Sequence, residues 1–276
     1  MLRFHKYHGL GNDFVILDGV SGPLPPLSPA AIRFLCDRHF GVGCDQLLCL
    51  VPEAGTDGRM RVYNADASES GQCGNGLRCV ARFLWDEGLV PASRDAVVLA
   101  AGEGRYPVER LAVDRYRARM GKPAFRHAEL PRAAGPTGEV ALDAGGRTFA
   151  ATGVHVGNPH AVLFVSEPPA ELAAALGPML ERHRDFAARA NVSFVRPEPG
   201  GFEVVVFERG DGVTLACGSG ACAVGAAAVA RGHWQSGVPM KVRLPGGVLL
   251  ITVGADGEIL MEGPAVRVYT GEVALP

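Results

Sequence analysis

Cys73-Gly74-Asn75-Gly76 and Cys217-Gly218-Ser219-Gly220 decide the reading of this chain, because they are one motif written twice. Three further segments recur around them in the same order. Gly11-Asn12, followed by Phe14-Val15-Ile16-Leu17, returns as Gly157-Asn158, followed by His160-Ala161-Val162-Leu163, 146 positions later (157 − 11). Val62-Tyr63-Asn64 returns as Val206-Phe207-Glu208, and Met120 with Pro123-Ala124 returns as Met261 with Pro264-Ala265. Ordered matches at offsets near half of 276 residues predict an internal duplication.

Each half carries strand signals: Phe14 to Asp18, Met60 to Asn64 and Val97 to Ala101, then Ala161 to Ser166, Phe202 to Glu208 and Val248 to Val253. Two helices are expected per half. Ser28-Pro29 reads as a cap and first helical residue, with Ile32, Leu35, Cys36 and His39 at helical spacing behind it, and a matching helix starts near Pro169. The other helix of each half follows its Cys-Gly pair. The later one, Ala221 to Ala230, is apolar on every side and must be wrapped by its own sheet. The predicted fold is therefore α+β, with two pseudo-symmetric domains, each a mainly antiparallel sheet around a central helix. The third repeat anchor suggests that the chain crosses between domains near 119 and again near 263. That gives an N-terminal domain over 1–118, completed by 264–276, and a C-terminal domain over 119–263, with the active site in the cleft between them.

Composition narrows the partners. With 27 basic and 29 acidic residues in no cluster, the chain has no electrostatic footprint for nucleic acid or an anionic membrane, which leaves a small molecule. The longest wholly nonpolar stretch, Ala221 to Ala230, cannot span a bilayer, and a cytoplasmic location is expected. Seven cysteines, at 36, 44, 49, 73, 79, 217 and 222, form no CxxC pair, which argues against a zinc ribbon or a redox dithiol. Cys36, Cys44, Cys49, Cys79 and Cys222 read as small core hydrophobes. Arg78 and Arg82 read as one solvated helix face.

Cys73 and Cys217 read differently. Each stands at a glycine-rich turn opening onto a helix, where N–H groups and the positive dipole end favour a thiolate and a carboxylate alike. If the halves face each other, two such sites meet at one substrate, an arrangement that suits an amino acid. Inverting a carbon centre needs a base on one face and an acid on the other, and two thiols in different ionisation states supply both. The chain has only three lysines, Lys6, Lys122 and Lys241, none in a recognisable phosphate-binding context, so no pyridoxal cofactor is expected.

Gly9-Leu10-Gly11-Asn12-Asp13-Phe14, Tyr63-Asn64-Ala65-Asp66-Ala67-Ser68-Glu69, Gln72 to Cys79, Gly157-Asn158-Pro159-His160 and Glu208-Arg209-Gly210 through Cys222 resemble the diaminopimelate epimerase family nearly end to end. The resemblance implies interconversion of LL- and meso-diaminopimelate, without cofactor or metal, on the route to lysine and peptidoglycan precursors. An amino-acid racemase or epimerase of the same fold with another substrate is the alternative. It makes Cys73 and Cys217 the acid and base, with Gly74, Asn75, Gly218 and Ser219 at the carboxylate of the reacting centre. Asn12, Gln46, Asn64, Asn158, Asn191, Glu208 and Arg209 correspond to substrate-binding positions, and His160 and Glu208 to groups that tune the thiols. Tyr269 matches a position linked to dimer contact, so a homodimer is expected. Ala67, Ser219 and Val213 depart from the family's usual glycine, threonine and glutamate; a turn needing positive φ at 67 would disfavour alanine.

Overall fold

The computed structural model describes residues 1–131 and 135–276. It divides into two compact units, Met1–Ala118 with Gly263–Pro276, and Arg119–Glu262.

The first unit runs β1 (Leu2–Gly9), β2 (Asn12–Asp18), α1 (Pro29–Cys36), β3 (Gln46–Val51), β4 (Gly58–Asn64), β5 (Glu69–Ser70), α2 (Gly74–Asp86), β6 (Ala96–Ala101), β7 (Gly104–Ala112) and β8 (Arg115–Arg119). The second runs β9 (Glu139–Ala144), β10 (Arg147–His155), β11 (Pro159–Phe164), α3 (Pro169–Glu181), β12 (Asn191–Glu198), β13 (Gly201–Glu208), β14 (Gly212–Val213), α4 (Gly218–Ala230), β15 (Met240–Leu244), β16 (Gly247–Val253) and β17 (Ile259–Pro264). β18 (Val266–Val273) returns to the first unit and lies antiparallel to β1, Leu2 opposite Val273.

The duplication holds pairing by pairing. In the first unit β2 and β3 are parallel, as are β4 and β6; in the second, β11 with β12 and β13 with β15. Every other ladder within the units is antiparallel. A parallel neighbour cannot be reached by a tight hairpin. Each of the four parallel steps accordingly encloses one helix in the chain, α1 and α2 in one unit, α3 and α4 in the other.

The central helices are the cores of their units. α2 touches β1, β2, β3, β6, β7 and β18, and α4 touches β10, β11, β12, β15 and β16. Along α4 Ala221 to Ala228 are all buried. A fully buried valine such as Val224 contributes about 1.5–3 kcal/mol, so walls rather than intrinsic propensity hold this Gly- and Val-containing helix. Gly225 shows how tight the fit is: a Cβ there would lie 2.5 Å from Ile251 Cγ2.

Local signals hold at α1, where Ser28 Oγ accepts the Ala31 N–H at 3.1 Å and Pro29 opens the helix. The expected run to His39 stops three residues early. Asp37 turns extended (φ −68°, ψ 123°), and its carboxylate accepts the N–H groups of His39 and Phe40 at 2.7 and 2.8 Å, a local turn that competes with further helix. The two thiol helices start sooner than expected, α2 at Gly74 inside its Cys-Gly pair and α4 at Gly218, three residues before Ala221, because each cysteine is itself the cap. Ala67 does adopt φ 73°, with its N–H donating to Asn64 O at 2.9 Å. Cys36, Cys44, Cys49, Cys79 and Cys222 are all buried. Arg78 and Arg82 do not form a solvated face. Arg78 is wholly buried, with Nε donating to Pro264 O and Nη2 to Asn75 Oδ1, while Arg82 reaches Ala265 O at 2.6 Å. Their carbonyl partners lie 186 and 183 residues away, beyond what helical spacing can show.

Candidate active site

In each unit the candidate residues gather at one end of the sheet. Asn12 and Gln46 open β2 and β3, and Asn64 closes β4. In the second unit His160 and Asn191 stand opposite each other at the starts of the parallel strands β11 and β12, and Glu208 closes β13. Reversal of direction at the antiparallel ladder brings the end of one strand beside the start of the next. Gln46 thus pairs with Asn64 in register, and its Nε2 donates to Asn64 Oδ1 at 2.8 Å.

The thiols occupy equivalent positions. Cys73 caps α2, its sulfur accepting the Gly76 N–H at 3.4 Å; Cys217 caps α4, its sulfur accepting the Gly220 N–H at 3.3 Å. Both cap residues have extended φ and ψ, which aims the side chain back at the first turn. Gly76 and Gly220 permit this approach, since a Cβ at either would come within 3.4 and 3.2 Å of the capping sulfur.

Their surroundings differ. Cys73 is half-buried, and the second turn of the helix beneath it carries the buried Arg78. Cys217 is 4% exposed. Burial, followed by the neighbouring Glu208 carboxylate, pushes its thiol well above the ordinary range, against the smaller opposing pull of Ser219 Oγ, 3.6 Å from the sulfur. Thr214 Oγ1 donates to Glu208 Oε1 and fixes that carboxylate. At the position of Glu208 the first unit has Asn64, and at that of Arg78 the second has Cys222. The duplication has therefore kept the sulfur geometry and changed the charge around it.

His160 is fully buried, and burial, with His155 and Arg209 nearby, holds its imidazole down to about 3. It is neutral at any physiological pH. Nε2 lies 2.8 Å from Asn158 Oδ1, an acceptor, so Nε2 carries the proton and Nδ1 is a bare acceptor. Asn191 Oδ1 accepts the Arg209 backbone N–H at 2.8 Å, and the Arg209 guanidinium donates to Ala188 O while remaining exposed.

A supporting network was not legible in the motifs. Asn75 Nδ2 donates to Asn12 Oδ1 at 3.2 Å, and Asn12 Nδ2 donates to Asp45 Oδ2 at 2.9 Å. Asp45 is paired to Arg38, which also holds Asp13, and Lys6 pairs with Asp13. Hydrogen bonds from Arg38 and Lys6 overcome the cost of burial and lower Asp13 to about 2, so the anchor stays ionised.

The sequence profile described as diaminopimelate epimerase matches residues 4–125 and 152–268. The chain belongs to the diaminopimelate epimerase family. Family membership makes it an isomerase acting on a small amino-acid substrate. It is 47% identical over 278 residues to the diaminopimelate epimerase of Desulforudis audaxviator, covering 98% of this chain and 99% of that one. It is 43% identical to the protein of the same name from Laribacter hongkongensis, covering 99% of each. A probable proline racemase from Agrobacterium radiobacter shares the fold at a TM-score of 0.76 and 16% identity, covering 100% of this chain and 94% of that one. Among the described residues no helix is long and apolar enough to cross a membrane.

Proposed function

We propose that the protein interconverts LL- and meso-diaminopimelate by removing the α-proton with one of the thiols Cys73 and Cys217 and delivering a different proton from the other, with no cofactor. The observation that carries this is the pair of equivalently capped thiols in unlike electrostatic surroundings. Cys217, buried beside Glu208, starts as the proton-loaded acid, which leaves Cys73 the base. The Cys73 thiolate takes the α-hydrogen from one face, and the Cys217 S–H gives its proton to the other. The centre inverts, the sulfurs exchange ionisation states, and the reverse reaction runs with their roles exchanged.

Removing an α-hydrogen places negative charge next to a carboxylate, so stabilisation of that charge sets the rate. Helix starts suit this need, since their first N–H groups point along the axis and carry the positive dipole end. Gly74 and Asn75 in one unit, with Gly218 and Ser219 in the other, are assigned to the substrate carboxylate. Asn12, Gln46, Asn64, Asn158, Asn191, Glu208 and Arg209 are assigned to the rest of the substrate, Arg209 offering a bidentate hold on the distal carboxylate. His160 contributes as a neutral dipole beside this machinery. A cytoplasmic place in lysine and peptidoglycan precursor synthesis follows from that substrate, and a homodimer with Tyr269 at its contact completes the reading.

Turnover of LL-diaminopimelate in heavy water, beside a panel of other amino acids, tests it. One solvent deuterium should enter one α-carbon of the product, and Cys73→Ala and Cys217→Ala should each abolish epimerisation. Full activity in either single variant refutes the pairing, and faster exchange on another amino acid transfers the mechanism to that substrate.

A further inference from the structure

Three side chains of the second unit converge on one another with no part in the proton transfer. His127 and Glu129 lie in a turn closed by the Leu130 N–H donating to His127 O at 3.0 Å, and His155 ends β10. Ala124 and His155 form an antiparallel bridge, with backbone hydrogen bonds of 2.9 and 2.8 Å in the two directions, which fixes the turn against that strand. The imidazoles of His127 and His155 stack at 3.7 Å with 18° between their planes. Glu129 Oε2 stands 3.0 Å from His155 Nε2 and 3.7 Å from His127 Nδ1. One ring nitrogen from each histidine and one carboxylate oxygen all lie within 4.8 Å of one another.

Two borderline nitrogen donors and one oxygen form the ligand set of an open zinc-type site, whereas calcium and magnesium call for oxygen donors throughout. Metal–ligand bonds near 2.1 Å in a tetrahedron place donor atoms about 3.4 Å apart. The contacts to Glu129 already bracket that spacing. The remaining adjustment falls on His127, whose side chain is 40% exposed: to share an ion its ring must leave the stack on His155 and its Nδ1 must give up the Glu129 backbone N–H it accepts at 3.3 Å. We propose that His127, Glu129 and His155 form a binding site for one divalent transition-metal ion of the zinc class, which clips the turn to β10 and takes no part in the epimerisation.

The cysteines are rival ligands, so the probe is cobalt(II) chloride, added to the reduced, chelator-treated full chain and followed by titration calorimetry and absorption spectroscopy. One ion per chain is expected, with d–d bands and no thiolate charge-transfer band. Loss of a partner outside the coordination shell already costs metal sites about 10–100-fold in affinity. His127→Ala and Glu129→Gln should therefore each weaken binding at least tenfold, with the metal-free melting temperature of the exposed His127→Ala variant unchanged. No binding up to millimolar cobalt, equal binding by both variants, or a thiolate charge-transfer band would each overturn the site.

Discussion

His160 ties the candidate site to the acid stability of its unit. In the unfolded chain its imidazole takes up a proton as pH falls through about 6.5; in the folded chain it does not until about 3. Between these values the unfolded state binds more protons, so stability is greatest above 6.5 and is lost as pH falls towards 3. With about 1.4 kcal/mol per unit, the whole displacement is of order 5 kcal/mol, and the part lost between pH 6.5 and pH 5 is of order 2 kcal/mol. His160→Gln keeps an N–H donor for Asn158 and cannot titrate. Urea unfolding of both proteins at the two pH values, followed by circular dichroism, should show the wild type losing on the order of 2 kcal/mol more than the variant. Carboxylates held low, such as Asp13, are common to both and cancel in the comparison. Equal losses would mean that the folded imidazole takes up a proton, and the neutral dipole assigned above would be replaced by a cation.

Glu208→Gln removes a carboxylate that raises the Cys217 thiol, so the pH midpoint of iodoacetamide alkylation at Cys217 should fall; an unmoved or higher midpoint contradicts the assignment of Cys217 as resting acid. Gly225→Ala sets a helix-propensity gain of about 1 kcal/mol against overpacking on Ile251 of about 1–3 kcal/mol, and a melting temperature that rises would show that the wall yields. Tyr269, 45% exposed and edge-on to Phe4, should become protected in a homodimer; a monomer by light scattering at micromolar concentration ends that proposal.

What the sequence disclosed was whatever repeats or acts locally. The doubled Cys-Gly motif announced the duplicated α+β architecture, and Ser28-Pro29 marked a helix start, because caps and glycine turns act within a few residues. The all-apolar stretch after Cys217 was sufficient to require a wrapped helix. The rest depended on partners from distant strands. Arg78 has an ordinary surface-helix spacing, and only the Pro264 carbonyl and the Asn75 amide make its burial tolerable. The salt-bridged support behind Asn12 draws on Lys6, Asp13, Arg38 and Asp45, and the His127 cluster unites a turn with a strand end 26 residues later. No spacing rule connects such residues before the sheets are built.

The antiparallel seam between β1 and β18 has a bearing on biosynthesis. Domains ordinarily mature in the order in which the ribosome delivers them. Here Arg119–Glu262 is one uninterrupted segment, whereas the unit containing Met1 needs a strand encoded after it. The later-translated half can therefore settle first, leaving its predecessor a nascent sheet with an open margin until the final ladder arrives.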